Sequence, residues 1–534
     1  MPDAAGEPIV VPDRLNLATW FLDDRLGEGL GNKTAVFFED EALSYADLVA
    51  ESCRVTNLVR TLGLWPEDRA LFLLQDTPEF PQAFFGALRA GLCAVPASTW
   101  LTTDDYAYYL GYVRPKIVFA DAAVLDRYAP AHAAARHRPR LIVVDRARRL
   151  RAGDLPEGSR LLHEAVADHP PEAEPEPMDR DDVAIWLSSS GSTGKPKCVI
   201  HQGHDFVFNT IAYAQRTLGI ARDDVTLAAP KLFFGYALAS NMLFPFSVGA
   251  SCVLVPHRVR PEEYFALIER YRATQFVTVP TTIAKMLAVE GSEARFDLSS
   301  LRGLVSAGEA LPARVYRAWK DRFGVEIYDG IGSAEMFHIY ITNRPGDVKE
   351  GSLGRIVDGY RFRLVDDEDR PVPQGEIGTL VIEGPSAGMA YHRRRDLSRR
   401  TFRGDAVRGG DKFFVDADGY FWYCGRGDDM LKCSGVYVSP MEVENCLVSH
   451  PAVLEAGVVG YRDEGGLEKA MAFVELRPGR QPSDALAAEI VEHCRVRLAA
   501  FKAPRRVRFV ESLPRTQTGK IRRAELRKWA EEGP

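Results

Sequence analysis

Apolar residues recur along this chain in two alternating spacings. Short apolar runs at Arg69–Leu74, Lys116–Ala120 and Leu141–Val144 read as buried strands, and residues 44–62 and 78–91 carry the wider spacing of helices. Val183–Leu187, Val225–Ala229, Ser251–Val255, Gln275–Val279 and Leu304–Ser306 are further strand patterns, with helical patterns at 261–272 and 281–289. Strands alternating with helices predict α/β layering with parallel sheets. From Arg361 the texture becomes β-rich, with Gly/Asp turns, as far as Tyr420–Cys424. After Gly425–Asp429 comes a smaller α/β tail of about a hundred residues, the size of a separate domain. The acidic, Pro-rich stretch His169–Asp182 reads as an exposed connector.

Composition narrows the classes. The chain has 534 residues, 26% of them charged, and a formal net charge of −7. Nothing in that balance favours nucleic acid or an anionic membrane surface. The eight cysteines are scattered with no CxxC pair, as expected of reduced thiols in a cytoplasmic protein. No signal peptide or membrane span is expected from the pattern.

The strand pattern Val183–Leu187 leads into SSSGSTGKPKCVIH, Ser188 to His201. Ser189, Ser190, Gly191, Ser192, Thr193 and Gly194 bring no bulky side chain, and Lys195 and Lys197 flank Pro196. Small residues let backbone N–H groups approach an anion, and lysine adds charge, so the stretch reads as a triphosphate cradle. The common P-loop is excluded, because Lys195 is followed by Pro196 rather than by Ser or Thr opening a helix. A plain Ser/Gly linker is the competing reading, and its place between a buried strand and Lys-Pro-Lys argues against it.

Further stretches carry chemistry. In DGIGSAEMFH, Asp329 to His338, Gly-rich punctuation after Val325–Tyr328 reads as a strand ending in a loop, with Glu335 suited to a hard cation. Ser306-Ala307-Gly308-Glu309-Ala310 follows another strand and reads equally as a flat ligand-facing segment or a tight turn. Asp411, after Gly409-Gly410, can accept two hydroxyl hydrogen bonds or simply occupy a turn. Lys231 to Phe246 is dense in aromatics, which by composition alone means core packing.

SSGSTGKPK resembles the phosphate loop of the adenylate-forming enzymes, the acyl- and aryl-CoA ligases, adenylation domains and firefly-type luciferases. The resemblance covers essentially the whole chain in motif order. It implies an α/β fold: a large N-terminal domain of layered α/β subdomains with a β-rich subdomain, residues 1–427, and a small mobile α+β C-terminal domain, 428–534. It places Asp329, Gly330, Ile331, Gly308 and Glu309 around the nucleotide, Asp411 on the ribose, Arg426 on the nucleotide and Glu335 on Mg²⁺. Gly425-Arg426-Gly427-Asp428-Asp429 resembles the family hinge, with Asp428 as pivot, and Ser434-Gly435 implies a thiol tunnel. Pro514 to Arg522 resembles the catalytic-lysine loop, with Lys520 neutralising charge where carboxylate and α-phosphate meet. Two positions depart from the pattern: Cys198 stands where the family has Gly, and Ala334 where it has Thr.

KLFFGYALASNM and GIGSAEMFHI look specifically like aryl-CoA ligases for benzoate-type acids. By that likeness Phe234, Gly235, Tyr236, Ala307, Gly332, His338 and Ile339 line the acyl pocket, with Gly235 where benzoate ligases are expected to have Ala. The implied activity is an ATP- and Mg²⁺-dependent ligation of benzoate, or an amino- or hydroxybenzoate, to coenzyme A through an aryl-AMP. The partners are those small molecules alone, with the enzyme a monomer or homodimer. The alternatives are an aryl-acid adenylation enzyme loading a carrier protein, and a non-catalytic nucleotide- and acid-binding protein of the same fold.

Overall fold

The computed structural model describes residues 7–189, 195–427, 430–433, 436–462, 468–499, 502–515 and 521–532. The chain divides into two compact units. The first holds residues 1–350, 354–361 and 383–407; the second holds 351–353, 362–382 and 408–534. Strands of the β-rich segment belong to the second unit.

Two sheets build the first unit. One has nine strands, in the spatial order Arg355–Ile356, Ile339–Thr342, Ile327–Gly332, Gly303–Ser306, Gln275–Thr278, Val225–Ala228, Ser251–Val253, Thr34–Phe38, Glu41–Ser44. The strands from Ile327–Gly332 to Thr34–Phe38 pair in parallel, as the alternating pattern predicts. The other sheet has eight strands, with parallel pairing around Arg69–Leu73 and an antiparallel edge in which Val183–Ser189, Lys197–Gln202 and Ala390–Tyr391 lie side by side.

Local chemistry explains the helices between the strands. Tyr45–Thr61 starts where Ser44 and Asp47 cap each other reciprocally, and Thr102 with Asp105 does the same for Thr103–Val113. Pro261–Tyr271 and Pro280–Leu287 begin with proline, whose missing N–H costs nothing at a helix start. The apolar faces of Pro261–Tyr271, Pro280–Leu287 and Ala313–Phe323 bury Phe265, Ile283, Met286 and Trp319 against Phe276, Leu304 and Ile327 of the sheet.

The second unit contains the small α/β tail. Val453–Arg462 pairs antiparallel with Glu468–Leu476, which pairs in parallel with Arg506–Val510. Pro440–Val448 and Asp484–Arg497 cover this sheet with Val443, Leu447, Ile490 and Cys494, packed on Val458, Ala472 and Val474.

One expectation changes. The glycines after Tyr328 do not end the strand: Ile327–Gly332 runs through Asp329, Gly330, Ile331 and Gly332 and pairs antiparallel with Ile339–Thr342. Glycine is there because the backbones approach closely. A Cβ at Gly330 would lie 2.7 Å from the Ile341 carbonyl oxygen, and one at Gly332 would lie 2.4 Å from the His338 carbonyl oxygen. The aromatic run also divides: Phe233, Phe244 and Phe246 are buried, while Phe234 is 43% exposed.

Gly332→Ala is expected to cost about 1–3 kcal/mol of stability, because strained overpacking against backbone has no side chain to yield. Gly235→Ala is the control, since its Cβ would meet nothing closer than the Leu187 methyls at 3.4 Å. Denaturant unfolding of both variants checks this, and equal losses would refute the close-approach argument.

Candidate active site

The candidate residues of the first unit gather where parallel strands end. Thr278, Ser306 and Asp329 stand opposite one another across three neighbouring strands; Thr278 and Ser306 end theirs, and Asp329 is where the parallel pairing ends. Ligands of open α/β sheets bind in the crevice outside such ends. Beyond Ser306, Gly308 takes φ +83°, a conformation glycine adopts without strain. The Glu309 carboxylate then accepts from the backbone N–H of Thr281, 3.1 Å away, and from the Thr281 hydroxyl at 2.5 Å. That bond joins the segment after Ser306 to the start of helix Pro280–Leu287, so Glu309 fixes this edge of the crevice.

Asp329 is buried, and burial pushes its carboxyl up to about 8 against the opposing hydrogen bonds from the Ser306 hydroxyl and the Leu311 backbone. It therefore carries a proton at neutral pH. Its backbone carbonyl accepts from the backbone and side-chain N–H groups of Asn343.

Glu335 follows on the short turn Ala334–Met336. Its Oε1 lies 3.3 Å from the Lys197 ammonium and accepts from the Tyr391 hydroxyl at 2.6 Å. Burial pushes the carboxyl up, but Lys197, Tyr391 and the Ser333 hydroxyl outweigh it and hold the group below its ordinary value. Lys197 also sits over the Tyr391 ring, 3.8 Å from its centroid. Beside this cluster His201 is fully buried. Its Nε2 donates to the Ala334 carbonyl at 2.7 Å, and its Nδ1 lies 2.7 Å from the Asp205 carboxylate. Ala334, which lacks the family's hydroxyl, is thus held through its backbone.

Lys195 is exposed, with its ammonium 5.2 Å from the Tyr108 ring centroid. Cys198 belongs to strand Lys197–Gln202, opposite Ser188, and is fully buried. It sits past the loop rather than in it, so its side chain serves the core. Burial pushes its thiol up to about 12.

Of the residues expected at the acyl pocket, Tyr236 and His338 are in contact, while Phe234 packs on Trp100 and Phe233. Tyr236 donates to the carbonyls of Thr278 and Val305, at 3.2 and 3.0 Å. His338 stacks on the Tyr236 ring, with centroids 5.5 Å apart, and packs edge-on to Phe244. Its Nε2 faces the Tyr236 carbonyl at 3.1 Å, so that nitrogen carries the proton, and burial lowers the ring to about 3. His338 is therefore a neutral ring, its Nε2 also 3.0 Å from the Ser240 hydroxyl and its buried Nδ1 left without a hydrogen-bond partner among the described residues. Ala307 is buried and Ile339 is buried in its strand, paired with Gly332. Gly235 opens the helix Gly235–Leu238 without a positive φ, and the space where its Cβ would be faces Leu187, on the strand leading to the phosphate loop.

In the second unit Asp411 and Arg426 are directly opposite in paired strands, and the Tyr423 hydroxyl lies 3.3 Å from Asp411 Oδ1. Ser190, Gly191, Ser192, Thr193, Gly194, Asp428, Ser434, Gly435 and Lys520 lie outside the described residues. Sequence reasoning missed Tyr391, His201 and Asp205. The only signal for His201 and Asp205 was their i, i+4 spacing after the cradle; Tyr391 had none, because its partners lie far away in sequence.

The donors suit magnesium. Mg²⁺ uses one or two carboxylates plus substrate phosphates, and Glu335 is an ionised carboxylate beside the strand that carries Lys197. Among the described residues no group of three or more His, Cys, Asp or Glu is placed to hold a metal by itself. None of the described helices is long and apolar enough to cross a membrane.

Asp329 makes stability depend on pH. Between the ordinary carboxylate value and about 8, the folded chain keeps a proton that the unfolded chain releases, so stability falls as pH rises through that window. Asp329→Asn is expected to raise the unfolding temperature more at pH 8 than at pH 5. Thermal unfolding of both chains across that range checks it, and an equal effect at both pH values would contradict the assignment.

Residues 24–392 match the AMP-binding enzyme family model, and residues 442–520 match the model of the AMP-binding enzyme C-terminal domain. The chain is 40% identical over 521 residues to a benzoate–CoA ligase of Thauera aromatica, covering 97% of each chain. It is 40% identical over 513 residues to a 4-hydroxybenzoate–CoA/benzoate–CoA ligase of Rhodopseudomonas palustris, covering 96% of this chain and 94% of that one. The crystal structure of the anthranilate CoA ligase AuaEII in complex with anthranoyl-AMP superposes with a TM-score of 0.88 at 38% identity, covering 98% of both chains. With a family match across more than half its length and such relatives end to end, the chain belongs to the AMP-binding enzyme family.

Proposed function

We infer that this protein is an AMP-forming aryl-CoA ligase acting on benzoate or a ring-substituted benzoate. The observation that carries the reading is the half-buried Lys197–Glu335 pair, which joins the strand after the phosphate-loop motif to the turn near the Tyr236 and His338 rings. Relatives named for benzoate and hydroxybenzoate support the substrate class.

The reaction has two steps. A carboxylate oxygen of the acid attacks the α-phosphorus of ATP, and pyrophosphate leaves with the bonding electrons. The CoA thiolate, already deprotonated, then attacks the acyl carbon of the aryl-AMP, and AMP leaves with the bonding electrons. The loop Ser189 to Lys195 and Lys197 would receive the phosphates, and Lys520 would neutralise charge at the α-phosphate. Gly308, Glu309 and Asp329 to Ile331 would flank the base, with Asp411 on the ribose hydroxyls and Arg426 beside it. Magnesium, held by Glu335, would supply charge neutralisation on the phosphate oxygens. The C-terminal domain from 428 would turn about Asp428 between the steps, bringing Ser434 and Gly435 to the thiol path.

The aryl slot suggests the acid. Gly235 leaves the space in front of Leu187 free of one methyl, and no backbone requirement explains the glycine. That space suits an amino or hydroxyl substituent on the ring.

CoA-dependent AMP release, measured over benzoate and its ortho-, meta- and para-amino and hydroxy derivatives, tests the activity. Gly235→Ala is expected to lower kcat/KM for the preferred substituted acid by roughly tenfold to a few hundredfold and to leave benzoate nearly unchanged. A uniform loss across the panel would sink the slot reading. Lys520→Ala is expected to slow aryl-AMP formation about a hundredfold or more while sparing thioester formation from supplied aryl-AMP. Equal damage to both half-reactions would remove the assignment of Lys520 to the first step.

A further inference from the structure

Tyr391 lies far from every motif that marks the site, yet its side chain meets two of the site's charged groups. It sits on the short strand Ala390–Tyr391, paired with the strand that carries Lys197, opposite Val199. The residue is 4% exposed, and its ring packs edge-on to Phe402 at 5.1 Å. A tyrosine serving only to fill the core would need no buried hydroxyl. This hydroxyl donates to Glu335 Oε1 at 2.6 Å, while the ring face lies 3.8 Å below the Lys197 ammonium. Lys197 and Glu335 are themselves only 3.3 Å apart.

We propose that Tyr391 is a positioning residue for the nucleotide step, its hydroxyl aiming the Glu335 carboxylate and its ring holding Lys197 beside that carboxylate. The proposal rests on the reading of Glu335 as the magnesium ligand and of Lys197 as a phosphate-binding lysine. A carboxylate that receives the metal must keep its orientation when its lysine turns to phosphate. The Tyr391 hydroxyl supplies a neutral donor that stays. A hydroxyl on a metal-binding carboxylate is the type of outer contact whose loss typically weakens metal affinity about ten- to a hundredfold. The ring does different work. Its face attracts the ammonium electrostatically rather than by accepting at an oxygen, so it holds Lys197 in place beside the hydrogen bond that Lys197 gives to Glu335.

The two functions separate in two variants. Tyr391→Phe keeps the ring and loses the hydroxyl; Tyr391→Leu loses both. Binding of a non-hydrolysable ATP analogue is measured by calorimetry, without metal and over a magnesium titration, on the full chain. For Tyr391→Phe, the magnesium midpoint is expected to rise about tenfold with metal-free affinity unchanged. For Tyr391→Leu, the same rise is expected, with metal-free affinity lower by about threefold to tenfold. Glu335→Gln is the reference arm and is expected to abolish the magnesium dependence. If Glu335→Gln leaves that dependence intact, the metal reading of Glu335 fails whatever Tyr391 does. If Glu335→Gln abolishes it while both Tyr391 variants match wild type, the role of Tyr391 is overturned. Equal metal-free losses in Phe and Leu variants would overturn the division between hydroxyl and ring. If the Leu variant does not fold, the magnesium titration of the Phe variant still decides the hydroxyl's part.

Discussion

A carboxylate taken out of water must be paired and hydrogen-bonded, or it destabilises the chain that buries it. Glu335 meets that constraint with partners from distant parts of the first unit. Lys197 comes from the eight-stranded sheet, and Tyr391 from the strand beside it, while Glu335 follows the last parallel strand of the nine-stranded sheet. His201 adds a second tie to the same turn through the Ala334 carbonyl. The two sheets are thus joined where the strand leaving the phosphate-loop motif meets the turn after Ile327–Gly332. Removing one partner would leave a half-buried charge short of a partner, so the site's electrostatics and the unit's packing stand on the same few contacts.

Much of this was legible in the sequence. Parallel strands buried on both faces write themselves as apolar runs, and Gln275–Thr278, Gly303–Ser306 and Val225–Ala228 form within a residue or two of their patterns. Lys197 and Glu335 stand in stretches whose local residue types already suggest phosphate and metal. What could not be read is what tertiary approach decides. Gly330 and Gly332 look like turn punctuation, because a breaker and a close-packed strand glycine are the same letter. Only the opposing carbonyls of Ile341 and His338 distinguish them. Tyr391 was invisible because the contact that matters spans 56 residues.

The aryl wall follows a different logic from the phosphate end. His338 is lowered to about 3 by burial, and its Nε2–H is committed to the Tyr236 carbonyl. The titratable side chain that most invites a catalytic assignment is therefore a neutral ring among rings. Tyr236 likewise gives its hydroxyl to the carbonyls of Thr278 and Val305, so it too presents its face rather than its polar end. In the proposed reading a flat acid would lie against these rings, with discrimination among substituted acids coming from shape, as at Gly235 against Leu187.

Asp329 fits that arrangement on electrostatic grounds. An ionised carboxylate at the strand ends would repel the polyanion that the neighbouring lysines attract. Burial keeps Asp329 protonated at neutral pH, with its value pushed to about 8, so the position offers a neutral group. Glu335, somewhat more exposed, is held below its ordinary value because Lys197 and Tyr391 face it. Two acids six positions apart therefore carry opposite charge states, and the chief difference between their surroundings is the Lys197 cation beside Glu335, since both carboxyls receive hydrogen bonds. In the reading proposed above, the ionised acid stands where a metal is needed and the neutral one where a base and an aryl group must approach without a charge between them.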